Sequence, residues 1–181
     1  MILGLFRGSA NRRLIGRLHG EIVAAARDPV LFTAYGIADT IEGRFESLVL
    51  HAALVLRRLE ALPQPGPEIA QDLADVLFRH FDIALREIGV ADTRVPKEMK
   101  AIAEAFFGRA MAYHTALAKG ELALAQTLSR NVYEGHSDGK RLAHYVMRLE
   151  AVLLQTTLAD FLAAPIPFAK VATADEEAPN D

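Results

Sequence analysis

The sequence predicts an all-α protein: a single helical domain of about six to seven helices, followed by a disordered acidic C-terminal tail. Apolar residues recur at steps of three and four along nearly every segment, which is the period of one face of a helix. Prolines and glycines fall between these segments, where helices begin and end. No segment alternates apolar and polar residues as a half-buried strand does.

Length and composition narrow the class of protein. A chain of 181 residues is long enough for one domain with a hydrophobic core. Hydrophobic residues make up 51% and charged residues 24% of it, which is typical of soluble globular proteins. The absence of cysteine excludes a disulfide framework, a thiolate metal site and a cysteine nucleophile. The longest apolar run, residues 48–56, is too short to span a membrane.

The net charge of −3 is unevenly distributed along the chain. Residues 1–20 contain four arginines and no acid, whereas residues 164–181 contain one lysine and four acids. A basic N-terminal helix is therefore expected over residues 1–27. Three of its arginines are candidate contacts to a ribosome or an anionic membrane: Arg12, Arg13 and Arg17. The run also resembles a targeting peptide, but a solvated helix face is the favoured interpretation.

Two elements are predicted before residue 37. An apolar stripe at helical spacing predicts a helix over residues 10–26, with its arginines on other faces. A short piece follows over residues 28–36. Asp28 before Pro29 is a start signal, and Gly36 is a stop signal.

The helix predicted over residues 39–62 is expected to be central to the core. Asp39 and Glu42 have the spacing of a capping box. Its apolar seam alternates steps of four and three and is widened by neighbouring apolar residues. The seam consists of Ile41, Phe45, Leu48, Ala52, Val55, Leu59 and Leu62.

Two further long helices are predicted after a proline-rich break, over residues 67–88 and residues 96–119. The first opens at Pro67 and ends at Gly89, which readily adopts the left-handed conformation of a C-terminal cap. The second opens at Pro96, whose fixed φ suits the first helical turn.

The last helices are predicted over residues 121–133 and residues 139–163, with a glycine-containing turn between them. Residues 28–163 are then one helical domain. The remaining segment, residues 164–181, has two prolines followed by an acidic run with few apolar residues. That composition predicts a disordered tail.

Cations gather where the fourth long helix is predicted to begin. Arg94, Lys97 and Lys100 lie at the positive end of the helix dipole, where cations are disfavoured. In one interpretation these cations and Asp92 form an edge that binds the charged groups of a partner. In the other, Asp92 pairs with a neighbouring base and the rest is solvated. The sequence leaves the two open.

The amides of this first turn need hydrogen-bond acceptors. Val95, the expected N-cap, has no side-chain acceptor. Either the side chain of Asp92 or Thr93 folds back and accepts hydrogen bonds from these amides, or the amides add their partial positive charge to the edge that the three cations form (the positive edge).

Other residues of this region are expected inside the fold. Arg86 and Arg109 are expected in structural ion pairs with Asp82 or Asp92, although Arg109 is also kept as a candidate partner-binding residue. Three aromatic residues are expected in the core rather than in a binding groove: Phe106, Phe107 and Tyr113.

The motifs of common enzymes and metal sites are missing from the sequence. It contains no Gly-x-Ser-x-Gly elbow, no glycine-rich phosphate loop and no Asp-rich diphosphate motif. None of the six histidines follows a glutamate at the Glu-x-x-His spacing that metal-binding bundles use. His136, Asp138 and His144 are close in sequence, but this spacing does not require them to converge. We therefore expect no enzyme activity, no metal and no cofactor.

An ordered set of residues between 79 and 113 carries a family resemblance. The set is Asp82, Arg86, Gly89, Val90, Asp92, Val95, Pro96, Lys97, Met99, Lys100, Gly108, Arg109, Ala112 and Tyr113. The segments FTAYGIADTIEGRFE and SDGKRLAHYVMRLEAVL extend it, so that it covers most of residues 28–162. Together they resemble the ubiquinol–cytochrome c chaperone family. Phe107 stands where that family more often has tyrosine.

The resemblance implies an assembly factor with no catalytic residues. Mitochondrial members help newly made cytochrome b mature before it joins the ubiquinol–cytochrome c reductase (bc1) complex. They act with a small partner protein and near the ribosomal exit tunnel. The resemblance thus implies cytochrome b as client, and it leaves open a co-chaperone, a ribosome contact and a peripheral membrane contact.

The resemblance also suggests a compartment. The sequence shows neither the long leader nor the hydrophobic anchor of some mitochondrial members, so a bacterial-type member is expected. Its expected place is the cytoplasm, with a peripheral position at the inner face of the inner membrane left open. In a eukaryote the corresponding place is the mitochondrial matrix.

Two other classes of function compete with this one. A ribosome- or nucleic-acid-binding protein would act through the Arg-rich first helix, but that basic run is short and the domain is acidic overall. A helical enzyme of isoprenoid or haem-related chemistry is disfavoured because the Asp-rich and ligand motifs are missing.

Overall fold

The computed structural model describes the backbone of residues 2–171 and the side chains of residue 8 and residues 10–171. This part of the chain contains eight α-helices and no strand, so the all-α prediction is confirmed. In chain order the helices are α1 (Ile2–Ala26), α2 (Pro29–Thr33), α3 (Ile41–Glu60), α4 (Gly66–Glu87), α5 (Val95–Lys119), α6 (Glu121–Val132), α7 (Lys140–Gln155) and α8 (Leu158–Ala163).

The helix predicted over residues 139–163 is two helices, which accounts for the extra element. Thr156 has an extended backbone with ψ of 121° and ends α7. Thr157 then caps α8: its hydroxyl accepts from the Asp160 N–H at 3.3 Å, and the Asp160 carboxylate accepts from the Thr157 N–H at 2.8 Å. This reciprocal capping box starts a new helix.

The start of α3 differs by one residue from the predicted capping box. Thr40 is the N-cap, and its hydroxyl accepts from the Gly43 N–H at 3.1 Å. Asp39, the predicted cap, instead pairs with Arg44 at 2.6 Å. A Cβ on Gly43 would lie 1.9 Å from the carbonyl oxygen of Ala38, so the chain can turn this tightly into α3 only at a glycine.

The third helix is central to the core, as predicted. It contacts α1, α4, α5, α6 and α7, and every residue from Val49 to Leu56 is buried. Ile41, which the seam places in the core, is 69% exposed. It is the first residue of α3, ahead of the part of the helix that neighbouring helices cover.

A chain of buried polar groups joins α1, α3 and α7. The Tyr145 hydroxyl donates to Nε2 of His51 at 2.8 Å, and Nδ1 of His51 donates to the Ser47 carbonyl at 2.7 Å. The Ser47 hydroxyl donates to the Ala26 carbonyl at 2.8 Å. Because a carbonyl oxygen can only accept, His51 carries a proton on Nδ1. Burial lowers the pKa of His51 to about 4, which leaves the ring neutral near pH 7, with Nε2 as acceptor.

The first part of the predicted tail packs against the domain. Ile166 is buried, its N–H donates to the Glu21 carboxylate at 2.8 Å, and the Phe168 ring lies 5.9 Å from the ring of His51. Apolar residues between and after the two prolines explain this packing, so the expectation of disorder from residue 164 does not fit residues 164–171. The rest of the predicted tail, residues 172–181, lies outside the described residues.

Candidate functional site

A groove of about 1150 Å³ lies between α1, α3, α4 and α5. The end of α6 and the turn that follows it also contribute to its lining. A smaller cavity of about 490 Å³ shares Leu85, Ile88 and Glu98 with the groove and extends to the turn at Gly89. The two hollows are therefore adjacent.

The walls that the four helices contribute are mainly apolar. Val23 comes from α1, Phe45 and Leu48 from α3, Leu85 from α4 and Ile102 from α5. All five are only half-buried. The groove thus presents apolar surface to water from several directions, which is typical of a binding site.

Two isoleucines at the groove are strongly exposed. Ile41 and Ile88 are 69% and 62% exposed and belong to α3 and to the end of α4. Both line the groove, so they add exposed apolar surface to its half-buried walls.

An ion pair also lines the groove. The side chain of Glu46 is 8% exposed and accepts from Nε and Nη2 of Arg109 at 2.6 and 2.5 Å. Burial raises the pKa of Glu46 above its ordinary value, against the opposing effect of Arg109. Hydrogen bonding to Glu46 raises the pKa of Arg109. The pair joins α3 to α5 beside Phe45, whose ring centroid lies 5.7 Å from the guanidinium carbon.

Both arginines expected in ion pairs form them, but only Arg86 has the expected partners. Arg86 donates to Asp82 and Asp92, as expected. Arg109 pairs with Glu46 rather than with Asp82 or Asp92, because the packing of α3 on α5 brings them together. Of the candidate partner-binding residues, Arg109 and Asp92 are therefore engaged within the chain.

Two of the three aromatic residues expected in the core are there. Phe106 and Tyr113 are each 1% exposed, whereas Phe107 is 59% exposed. Phe107 stacks on Phe78 with ring centroids 5.6 Å apart. The expectation for Phe107 was wrong because successive helix residues are about 100° apart, and α5, unlike the surrounded α3, buries only a narrow stripe that includes Phe106 and Tyr113.

Backbone carbonyls satisfy the amides at the start of α5. The N-cap is Arg94, one residue before the expected Val95. The Val95 N–H donates to the carbonyl of Ala91 at 3.2 Å, and the N–H groups of Lys97 and Glu98 donate to that of Arg94 at 3.0 and 3.1 Å. No side chain caps this helix. Because backbone carbonyls accept from these amides, the predicted fold-back of Asp92 or Thr93 is not needed.

Two of the three cations at this helix start have an acidic partner one turn later. Arg94 lies 3.1 Å from Glu98, and Lys100 lies 3.8 Å from Glu104. Lys97 is exposed and forms no ion pair with any residue that the structure describes. The predicted positive edge is therefore largely neutralised, with Lys97 as its remaining unpaired charge.

The three arginines of the first helix differ in their surroundings. Arg12 and Arg13 are exposed. Arg17 donates to the carbonyls of Phe161 and Ala164, so it holds the end of α8 against α1. Arg17 thus has a structural contact that the sequence prediction did not include.

The histidine cluster suggested by the sequence has other partners. Nε2 of His144 lies 2.7 Å from Glu121, and Asp138 accepts from the Lys140 N–H at 3.0 Å. Within residues 2–171, His, Asp and Glu form no group of three or more that could hold a metal ion.

Sequence reasoning singled out neither the groove nor the buried acid beside it. Glu46 lies three and four positions before Val49 and Leu50, so helical periodicity already places it on the buried face of α3. The exposure of Ile41 and Ile88 has no sequence signal, because it depends on where the helices diverge.

No helix in the described part of the chain combines the length and the apolar character that crossing a bilayer requires.

Comparison with known proteins gives one family and one solved structure. The family model described as ubiquinol-cytochrome C chaperone matches residues 33–168. A crystal structure of the Cbp3 homolog from Brucella abortus is 36% identical in sequence, with a TM-score of 0.84. That match covers 94% of this chain and 98% of the Brucella chain. Among curated proteins there is no significant match.

Proposed function

The chain belongs to the ubiquinol-cytochrome C chaperone family, and on this premise we propose that it is a non-enzymatic assembly factor of the ubiquinol–cytochrome c reductase (bc1) complex. In this proposal its client is newly made cytochrome b. The family supports the chaperone role, whereas the identity of the client and the lack of catalysis are part of the proposal.

The observation that carries the proposal is the apolar groove. A chaperone needs a surface that favours unassembled apolar segments over water. The groove offers one of about 1150 Å³ with two large exposed side chains, Ile41 and Ile88. The buried ion pair that lines it joins Glu46 to Arg109, so neither of these charges needs a partner from the client.

A second surface is proposed for a partner's acidic groups, at the start of α5. Arg94 lines the smaller cavity, and Lys97 and Lys100 follow on the next turn, all three exposed. Lys97 is the strongest candidate of the three because it has no acidic partner one turn later. A small co-chaperone or a polar loop of the client fits this surface.

Ribosome binding is a second candidate function, favoured by one observation. Arg12 and Arg13 are exposed on α1, where they are accessible to phosphate groups. Arg17 supports it less, since it contacts α8. In either function the proposed place of action is the cytoplasm or the inner face of the inner membrane, or the matrix in a eukaryote.

The test is to remove the protein from its own cells and to measure bc1 assembly. We expect less assembled complex on native gels and a smaller cytochrome b absorbance, while an unrelated respiratory complex is unchanged. Tagged protein from pulse-labelled cells should carry newly made cytochrome b at early times.

Two results would count against the proposal. Normal amounts of bc1 complex and cytochrome b in the depleted cells would exclude the assembly role. Enrichment of ribosomal RNA without cytochrome b would favour the second candidate.

A further inference from the structure

We infer that the groove binds one α-helix that is apolar around most of its circumference, and that this helix is a membrane-spanning segment of the client before it enters the bilayer. The inference rests on the proposed function, because it specifies which part of the client is bound.

The direction of the groove walls determines the kind of helix that fits. Val23 and Phe45 line the groove from α1 and α3, Leu85 from α4 and Ile102 from α5. The charged lining residues of these helices are either exposed to water or already paired within the chain: Glu42 and Arg44 are exposed, Glu46 pairs with Arg109 and Glu98 pairs with Arg94. A helix from a soluble protein has one apolar stripe and a polar opposite face. In this groove that polar face would lie against apolar walls and lose its hydrogen bonds to water, which is costly. A helix that is apolar all round is typical of a membrane span.

The size of the groove matches several turns of such a helix. A helix about 10 Å wide that rises about 1.5 Å per residue occupies about 120 Å³ per residue. A groove of about 1150 Å³ therefore holds about ten residues, roughly half of a span of about 20 residues. The adjacent cavity of about 490 Å³ gives room for about one further turn. Small-molecule pockets reach only about 1,000 Å³, so the groove lies at or beyond their upper end.

Charged side chains lie at both ends of the groove, where the polar flanks of a membrane span would lie. Around the turn after α6 the lining includes Arg130, Glu134 and His136, all exposed to water. Toward the end of α4 the lining includes Glu98 beside Ile88, and the adjacent cavity adds Arg94. An apolar helix can lie against α3, α4 and α5 while its polar flanking residues meet these charges at both ends.

The experiment compares two double variants of equal design. Ile41→Asp with Ile88→Asp places charges at the groove. The control, Leu122→Asp with Leu154→Asp, alters α6 and α7 at residues that are 68% and 51% exposed. Because all four positions are exposed, melting temperatures should change little.

The probe is a fluorescent synthetic helix of about 18 leucine and alanine residues with lysines at both ends, long enough to imitate a membrane span. A second peptide of the same length, with leucine and lysine arranged on opposite faces, imitates an amphipathic helix. We expect the full chain to bind the apolar peptide at least about tenfold more tightly. The groove variant should lose at least about tenfold in affinity, and the control should stay within about twofold.

Equal loss in both double variants, or tighter binding of the amphipathic peptide, would overturn the inference. A photo-crosslinking residue at position 88, with position 122 as control, tests it in the otherwise unchanged chain. Crosslinks to a membrane span of the client should form only at position 88, and their formation at position 122 alone would also overturn it.

If depletion lowers bc1 assembly while the peptide and crosslinking results are negative, the groove inference fails and the proposed function stands. If the groove binds the apolar peptide while depletion leaves the complex intact, the proposed function fails.

Discussion

Lys97 and Lys100 lie almost one turn apart on α5, yet their neighbours differ. Lys100 has Glu104 four positions later at 3.8 Å. Lys97 has Ala101 at that spacing and Arg94 three positions earlier. On a helix, opposite charges at these spacings attract and like charges repel. Lys97 and Lys100 also repel each other, but only Lys100 has an acid that offsets this repulsion, so Lys97 is the more destabilising of the two.

We predict that Lys97→Glu raises the melting temperature and that Lys100→Glu changes it less. The first change places an anion near the positive helix end and beside Arg94. The second removes the pair with Glu104 and sets two carboxylates one turn apart, but it also places an anion three positions after Lys97, so its effects largely cancel. The gain from Lys97→Glu should be about a few tenths of a kcal/mol. Melting curves at low and at 1 M salt measure it, and the effects should shrink at high salt.

The same variants separate recognition from stability. If this surface binds a partner's acidic groups, both changes should weaken a pull-down of cytochrome b or its companion, and so should added salt. Stability and binding would then move in opposite directions only for Lys97. Equal shifts of the two melting temperatures would show that the neighbouring charges do not determine how these lysines affect stability.

Part of this residue-level picture could be predicted from the sequence. The spacings Arg94 to Glu98 and Lys100 to Glu104 are visible there, and the four-residue rule applies to any exposed helix. By contrast, the partner of Arg109 could not be identified, because Glu46 is 63 positions away. Only the packing of α3 against α5 makes them neighbours.

At the scale of elements, polar contacts hold α1 against the end of α8 and the residues that follow it. Arg17 donates to two backbone carbonyls at the end of α8, and Glu21, one turn later, accepts from the Ile166 N–H at 2.8 Å. Arg17 and Glu21 also pair with each other at 2.9 Å. The basic helix and the segment after α8 therefore stabilise one another.

Replacing Arg17 by glutamine should lower stability, whereas Arg12→Gln with Arg13→Gln should not. The Arg17 guanidinium makes charged hydrogen bonds worth about 1.5 kcal/mol or more, reduced here because the side chain is 31% exposed. We expect a loss of about 1 kcal/mol in urea denaturation. Faster amide exchange at Ile166 should accompany it. Equal stability of the two variants would show that the contact to α8 contributes nothing.

The elements themselves were largely predictable because apolar periodicity and proline or glycine breaks mark them. The break at Thr156 was missed, since the apolar stripe continues through it and only the spacing of Thr157 to Asp160 indicates a new start. The packing of residues 164–171 was missed for another reason. A few apolar residues such as Ile166 and Phe168 suffice when an existing surface receives them, and composition alone does not show that surface.

On the scale of the whole molecule, the series of hydrogen bonds through His51 connects α1, α3 and α7 inside an apolar core. The ring is fully buried and neutral, and burial lowers its pKa to about 4. In the unfolded chain the pKa of histidine is about 6.5. Between these values the unfolded chain binds a proton that the folded chain does not, so the free energy of unfolding falls as pH falls.

We predict that stability decreases from pH 6.5 to pH 4 by up to about 1.4 kcal/mol per pH unit through His51. The variant His51→Gln should lose this part of the pH dependence, whatever its absolute stability. Urea denaturation across this range measures both chains, and their difference isolates His51 from carboxylates such as Glu46 that titrate nearby. Exposed His114→Gln is the control. A parallel pH dependence in wild type and His51→Gln would show that the ring is not the titrating group.

The groove is lined by residues from Val23 to Ser137, which has a consequence for the order of events during synthesis. A nascent chain that has emerged only as far as α4 lacks the wall that α5 contributes, and the turn after α6 is translated later still. The complete groove exists only once most of the domain has been made and has folded. If the groove binds the client as proposed, a ribosome that is still making this protein cannot yet supply an active copy, and every client must rely on copies completed earlier.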